Sequence, residues 1–243
     1  MSINFIHVVL YNLVHFTCTV IECIVYLLGI TVDFYHGVYY GKHNNDVLLQ
    51  KLKCLGKPPT HLTVLLGHEE PSYKDLANIV FYCISTGIPY LSFYDYKGVL
   101  KKHQNELEYH VNEMKSKKDH IIWHNNSSSV HKNGFIGRKI HLKVFSQEDG
   151  QSSIVSLCKN IASEKIETNF SIDSINEHLK NHYEFPDPEL GLYCGEVFSL
   201  YDYPQWQVRV TEFLSVKSHH NLTFELFIDK LLRFGKCEQR LGK

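Results

Sequence analysis

The 243 residues contain no CxxC pair, no HExxH helix and no GxGxxG turn. They also lack a phosphate loop ending in Gly-Lys-Ser/Thr and a GxSxG elbow. These absences remove support for a zinc ribbon, a zinc protease, a dinucleotide fold, a P-loop enzyme and an α/β-hydrolase. Charge of one sign is missing too. Lys and Arg number 25 against 26 Asp and Glu, a formal net charge of -1. A general nucleic-acid binder would need a basic stripe to neutralise phosphates, so none is expected as a partner. The seven cysteines are odd in number and scattered, so they read as reduced thiols, mostly small core hydrophobes, rather than a disulfide framework. Sixteen histidines are present, but none has metal-ligand spacing, and His219-His220 and His103/His110 read as solvated. Aromatics make up 13% of the chain, which excludes wholesale disorder.

Basic residues are absent before Lys42, and only Glu22 and Asp33 are charged ahead of it. Phe5 to Ile30 is long enough for a bilayer, which needs ~20 apolar residues. It is unlike a secretory signal, having no basic start. Glu22 near a bilayer centre costs ~2.5–3.5 kcal/mol on insertion scales. Length favours a spanning helix over one lying flat. Lys42, Lys51, Lys53 and Lys57 follow the segment, which by the positive-inside rule places the C-terminal bulk in the cytosol. Glycosylation sequons begin at Asn125, Asn126, Asn169 and Asn221, and a cytosolic domain uses none of them.

Beyond residue 58 the pattern alternates. His61 to Leu66 is a continuous apolar run, as for a strand buried on both faces. Asp75 to Thr86 has helical spacing and ends at Gly87, and Ile88 to Tyr94 is a second strand. Strand, helix and strand make a right-handed parallel unit. Gly98 to Met114 reads as polar helix, Asn125 to Ser129 as a loop, and Ile140 to Phe145 as a third strand. The helix after Glu148-Asp-Gly150 carries Ile154, Leu157, Cys158, Ile161 and Ala162 on one face. A short helix over Ser171 to Asn181, strands over Leu190–Cys194 and Val208–Leu214, and a last amphipathic helix over Thr223–Phe234 complete the order. The expected fold is α/β, an open, mostly parallel sheet flanked by helices and preceded by an N-terminal membrane helix. Residues 1–40 form the membrane-anchoring segment, 41–58 a linker and 59–243 the domain.

In such sheets ligands bind beyond the C-terminal strand ends. The first strand leads there into Gly67-His-Glu-Glu70. The Glu69/Glu70 pair could meet Mg²⁺, but adjacent acids read more simply as solvated, and no metal site is assigned. No catalytic set is recognisable from the residues themselves.

Several landmarks occur in order: Pro59-Thr-His61 before the first strand, Glu148-Asp-Gly150, Pro186-Asp-Pro-Glu-Leu190, Trp206-Gln207, Thr211-Glu212 and the tail Cys237-Glu-Gln-Arg-Leu-Gly-Lys243. From about residue 59 onward the chain resembles the cis-prenyltransferase superfamily. Within it the likeness is to the non-catalytic branch, the Nogo-B receptor-like subunits of dehydrodolichyl diphosphate synthase. The resemblance implies the cis-prenyltransferase fold and a membrane region ahead of it. Catalytic members carry an Asp where this chain has Gly67, and two arginines at the places that fall on Tyr193 and Ser199. Glycine ligates no metal, and neither Tyr nor Ser replaces the planar guanidinium fork that grips a diphosphate. The resemblance therefore implies a subunit inactive alone but required in a heteromer with a catalytic cis-prenyltransferase. That heteromer would condense isopentenyl diphosphate onto farnesyl diphosphate for dolichol synthesis and protein glycosylation.

Arg240-Leu241-Gly242 matches the family's RxG motif, which by the resemblance binds isopentenyl diphosphate in trans and completes the partner's active site. Mg²⁺ would be bound mainly by that partner. The implied location is the endoplasmic reticulum membrane, in contact with lipid, with the domain in the cytosol. Thr211–Leu214 and Phe224–Leu232 are the segments expected near the partner, with Phe213, Phe224 and Phe227 as anchors or, by default at helical spacing, core. The alternative is a membrane-anchored receptor or scaffold with a degenerate prenyltransferase fold.

Overall fold

The structure, a computed structural model, describes residues 7, 10–24, 27 and 31, then 50–124, 138–163, 172–183 and 185–237. Two compact units are present, Met1–Lys53 and Cys54–Lys243. In the first, 10–24 is helical and its side chains are exposed. Among the described residues no helix is long and apolar enough to cross a membrane.

The second unit is built on six parallel strands: β1 His61–Leu65, β2 Tyr90–Asp95, β3 Asp119–Trp123, β4 Arg138–Ser146, β5 Leu190–Cys194 and β6 Glu212–Val216, in the spatial order β3-β4-β2-β1-β5-β6. All five residues of β1 are buried, which is what a central strand covered on both faces demands. The helices are α1 Tyr73–Thr86, α2 Val99–Lys102, α3 Gln104–Met114, α4 Gln151–Ser163, α5 Ile172–Tyr183 and α6 Phe224–Gly235. In α1, Leu76, Ile79, Val80 and Cys83 form the buried stripe, and Gly87 ends the helix at φ 79°. Phe224 and Phe227 of α6 pack on Tyr82 of α1. Leu179 and Tyr183 of α5 join Leu65, Tyr94, Phe145 and Tyr203 in a core cluster, against which Ile154 and Leu157 of α4 also pack.

Two landmarks clasp each other at the N-terminal edge of the sheet. The Thr60 N–H and hydroxyl donate to the Glu189 carboxylate at 2.7 and 3.3 Å. His61 Nδ1–H donates to the Pro186 carbonyl at 2.6 Å, so its Nε2 accepts from Ser92 Oγ at 2.8 Å. The ring is wholly buried and burial holds its pKa at about 4.

Several expectations are corrected. Strand β3 is absent from the pattern reading, because its apolar β-formers Ile121, Ile122 and Trp123 follow Asp119 and His120 with no alternation. Asp119 is kept in the sheet by Arg138, 2.7 Å away. The last strand is not Val208–Leu214 but begins at Glu212. Arg209 is drawn to Asp187 at 3.4 Å and Asn176 at 3.2 Å, and the Thr211 hydroxyl donates to the Pro188 carbonyl, so 208–211 remain loop. Of the cysteines only Cys83 and Cys194 are buried; Cys18, Cys23, Cys54, Cys158 and Cys237 are exposed. Cys158 and Ala162 therefore lie off the packed stripe of α4. The loop expected at Asn125–Ser129 and the Ser171 helix start lie outside the described residues, as do the sequons at Asn125, Asn126 and Asn169.

Candidate functional site

Strand β1 connects to β2 on one side, while β5, its other neighbour, continues to β6 on the opposite side. That divergence opens a crevice beyond the C-terminal ends of β1 and β5, where open α/β sheets take ligands. Gly67 stands there, just past β1. Its φ is 60°, a conformation that side chains with a Cβ disfavour. A Cβ on Gly67 would lie 3.2 Å from the Cys194 carbonyl oxygen and 3.4 Å from the Tyr201 ring.

Tyr201 comes from the loop between β5 and β6 and covers the crevice. Its ring stacks on Tyr96 at 5.7 Å, and the His68 ring meets both edge-on at 5.0 and 5.7 Å. The Tyr94 hydroxyl donates to the Tyr201 carbonyl. Tyr201 and Asp202 both hold positive φ, 48° and 61°. Two such residues in a row persist only where surroundings fix them. One fixing element is Gly150: a Cβ there would sit 2.1 Å from the Asp202 carbonyl oxygen. The glycine of the Glu148-Asp-Gly150 landmark thus makes room for the strap that closes the crevice.

Tyr193 lies on β5 opposite Leu65, half-buried, with its ring against Phe198 at 5.1 Å. The Ser199 hydroxyl accepts the Tyr201 N–H at 3.3 Å. Gly67, Tyr193 and Ser199 therefore fall around one crevice, and none offers a cation or a carboxylate. Two nearby lysines are engaged: Lys97 meets Glu70 at 2.6 Å and Lys101 meets Asp149 at 2.9 Å. Both Asp95 oxygens accept backbone N–H groups, from Lys97 and Leu100 at 2.9 Å. Mg²⁺ takes near-octahedral oxygen ligands and retains waters. A glycine and an aromatic lid do not fit that ion, so this chain's own crevice supports no step through it.

Glu69, Cys194 and His219 converge beside the crevice, with their ligand atoms within 4.8 Å of one another. His219 is fully buried, which corrects its reading as solvated; His103 and His110 are partly exposed beside Glu106 and Glu113. The Ser72 N–H donates to His219 Nε2 at 3.0 Å, so the ring proton is on Nδ1 and faces Glu69 Oε2 at 2.5 Å. The ring therefore presents a proton to the carboxylate rather than a lone pair to a cation. Burial lowers its pKa, and burial pushes the Cys194 thiol well above its usual range. The trio ties the loop after β1 to the loop after β6. Sequence gave no signal for it, since the three are far apart in the chain.

Phe227 is buried and Phe213 covers Gly191, so both serve the core. The exposed apolar side chains of the β5–β6 loop and of α6 are instead Val197, Phe198, Val210 and Leu226, at 79%, 46%, 40% and 50%. Arg240, Leu241 and Gly242 lie outside the described residues.

This parallel sheet with its flanking helices has the cis-prenyltransferase fold. A lavandulyl diphosphate synthase from Lavandula x intermedia superposes with a TM-score of 0.54 at 12% identity, over 76% of this chain and 99% of that one. A probable undecaprenyl diphosphate synthase from Campylobacter jejuni gives 0.51 at 16% identity, over 77% of this chain and 100% of that one. No family model matches the sequence. The mouse dehydrodolichyl diphosphate synthase complex subunit Nus1 is 32% identical over 207 residues, 79% of this chain and 68% of the mouse protein. The human subunit is 31% identical over 206 residues, 79% of this chain and 69% of that protein. The fission-yeast subunit from Schizosaccharomyces pombe is 24% identical over 228 residues, 84% of this chain and 85% of that protein. The chain belongs to the NUS1 family of dehydrodolichyl diphosphate synthase complex subunits.

Proposed function

We propose that this chain is the non-catalytic, required subunit of a heteromeric dehydrodolichyl diphosphate synthase. The carrying observation is the crevice: glycine where an acid would be needed, no arginine at Tyr193 or Ser199, and Tyr201 seated over the place. A chain so built needs a catalytic cis-prenyltransferase partner. The reaction joins isopentenyl diphosphate to farnesyl diphosphate with loss of diphosphate. Charge grows on the leaving oxygens, and Mg²⁺ held mainly by the partner would neutralise it. Arg240 offers a planar fork to the isopentenyl diphosphate, and Gly242 lets a backbone N–H approach phosphate without a Cβ in the way. Both act in the partner's site. The product serves dolichol synthesis and protein glycosylation.

The N-terminal segment attaches the chain to the endoplasmic reticulum membrane with the domain in the cytosol. In the helix 10–24 the Thr17 and Thr19 hydroxyls donate to the Val14 and His15 carbonyls at 2.7 and 2.9 Å, so neither needs water. A membrane location suits a polyprenyl product, each CH₂ of which gains ~0.8 kcal/mol on leaving water.

The test is polyprenyl diphosphate synthesis with Mg²⁺ by this chain, by a catalytic partner, by the pair, and by the pair carrying Arg240→Ala. Turnover that needs the pair and falls at least about tenfold with the substitution, a loss of at least ~1.4 kcal/mol in transition-state stabilisation, supports the reading. A pair no faster than the partner, or one indifferent to Arg240, leaves a receptor or scaffold in its place.

A further inference from the structure

The polar residues of the N-terminal helix are not scattered around it. At ~100° per residue, His7, Tyr11, His15, Cys18 and Glu22 fall within an arc of about 80°, and Thr19 and Asn12 extend it to about 140°. The Tyr11 and His15 rings touch along this stripe, with centroids 5.7 Å apart. The opposite arc carries Leu10, Leu13, Phe16, Val20, Ile21 and Ile24, all exposed in the free chain, Phe16 at 69%. Between residues 10 and 24, Thr17 is the one hydroxyl on that side, and its proton is spent on the Val14 carbonyl.

A helix that crosses hydrocarbon alone would bury Glu22, His15 and Asn12 with nothing opposite to satisfy them, whereas a helix at the bilayer surface separates the two faces without cost. We infer that this helix lies in the plane of the membrane interface, with the Leu13–Phe16–Val20 side in the acyl region and the His7–Tyr11–His15–Glu22 stripe in water. The inference rests on the membrane attachment proposed above, and it replaces the crossing that length alone suggests. Charge defines the lipid. Residues 1–41 hold no Lys or Arg, and the stripe's one formal charge is Glu22. Anionic headgroups therefore offer it no attraction, and zwitterionic phosphatidylcholine suffices.

The chain carries its own probes, since Cys18 lies on the stripe and Cys23 about 140° away, at the boundary between Asn12 and Phe16. The 243-residue protein is reconstituted into phosphatidylcholine vesicles, with and without phosphatidylserine. A hydrophilic maleimide is supplied on both sides, and modification is quantified at each cysteine by mass spectrometry against the exposed Cys158 of the soluble unit. The expected result is Cys18 labelled at least about tenfold faster than Cys23, equally in both lipids. Slow labelling at both sites overturns the in-plane arrangement in favour of a crossing and leaves attachment intact. Fast labelling at both, or faster labelling at Cys23, also overturns it; the former removes attachment as well. Two variants give an independent reading. Leu13→Lys is expected to release the chain from vesicles on flotation, while His15→Lys leaves binding unchanged. Equal loss in both variants overturns the proposal.

Discussion

Gly67 closes its own crevice in two ways, by lacking a carboxylate and by standing where a side chain has little room. Its φ of 60° disfavours any residue with a Cβ by about 1–2 kcal/mol, and the Cys194 carbonyl and Tyr201 ring crowd the space above it. Gly67→Asp is therefore expected to lower stability by about that amount in chemical denaturation and to confer no transfer activity on the chain alone. Mg²⁺-dependent turnover by that variant would show the crevice to be recoverable. A second prediction concerns acid. The unfolded His61 titrates near 6.5 but the folded ring near 4, because burial opposes its charge. Above about pH 6.5 neither state takes up the proton, and His61's contribution is complete. From there down to about pH 4 only the unfolded chain binds it, so stability falls by roughly 3 kcal/mol for this ring alone. His141 is lowered to about 4 as well, first by burial and then by His124, and acts in the same sense. Urea unfolding at pH 7 and pH 4.5 measures the loss, and His61→Asn is expected to flatten part of it. Gly67, Tyr193 and Ser199 stood out in the sequence because the landmarks bracket them, and the fold brings all three to one crevice. Tyr201, Gly150 and His219 did not stand out, since each gains its role from a contact with a distant segment.

At the scale of elements, β6 depends on a missing side chain in β5. A Cβ at Gly191 would lie 2.3 Å from the Phe213 ring, so Gly191→Ala must displace the aromatic or the strand. The expected cost is about 1–3 kcal/mol, with partial recovery when Phe213→Leu is added, as a thermal-unfolding cycle over the four proteins would reveal. Helix α6 has its own handle. The Thr223 hydroxyl accepts the Leu226 N–H at 3.3 Å, and Thr223→Ala is expected to cost about 1 kcal/mol by the same measurement. Most elements were readable because periodicity survives where one face is buried, as in α1 and α6. Strand β3 was lost because an edge strand mixes Asp119 and His120 into its apolar residues. Strand β6 begins four residues later than expected because Arg209 and Thr211 bind sideways to Asp187, Asn176 and Pro188 instead of pairing. The landmark residues were informative for a related reason. Thr60, His61, Pro186 and Glu189 clasp each other at the sheet edge away from the crevice, so they mark the scaffold independently of what the crevice does.

Across the whole molecule, the proposed function divides labour between this chain and a catalytic partner. The landmark order made the family readable in the sequence, whereas the closure needed the fold, because Tyr96, Tyr201 and Gly67 are brought together from three loops. The Tyr201 strap has a consequence for dosage. A subunit that kept an open but idle crevice would soak up prenyl diphosphate and starve the working one whenever it was overproduced. With a tyrosine lodged in the opening, surplus copies are expected to draw nothing from the metabolite pool. Synthesis should therefore climb with added subunit until the partner is saturated and then hold level. A downturn at high excess would mean that the strap leaks.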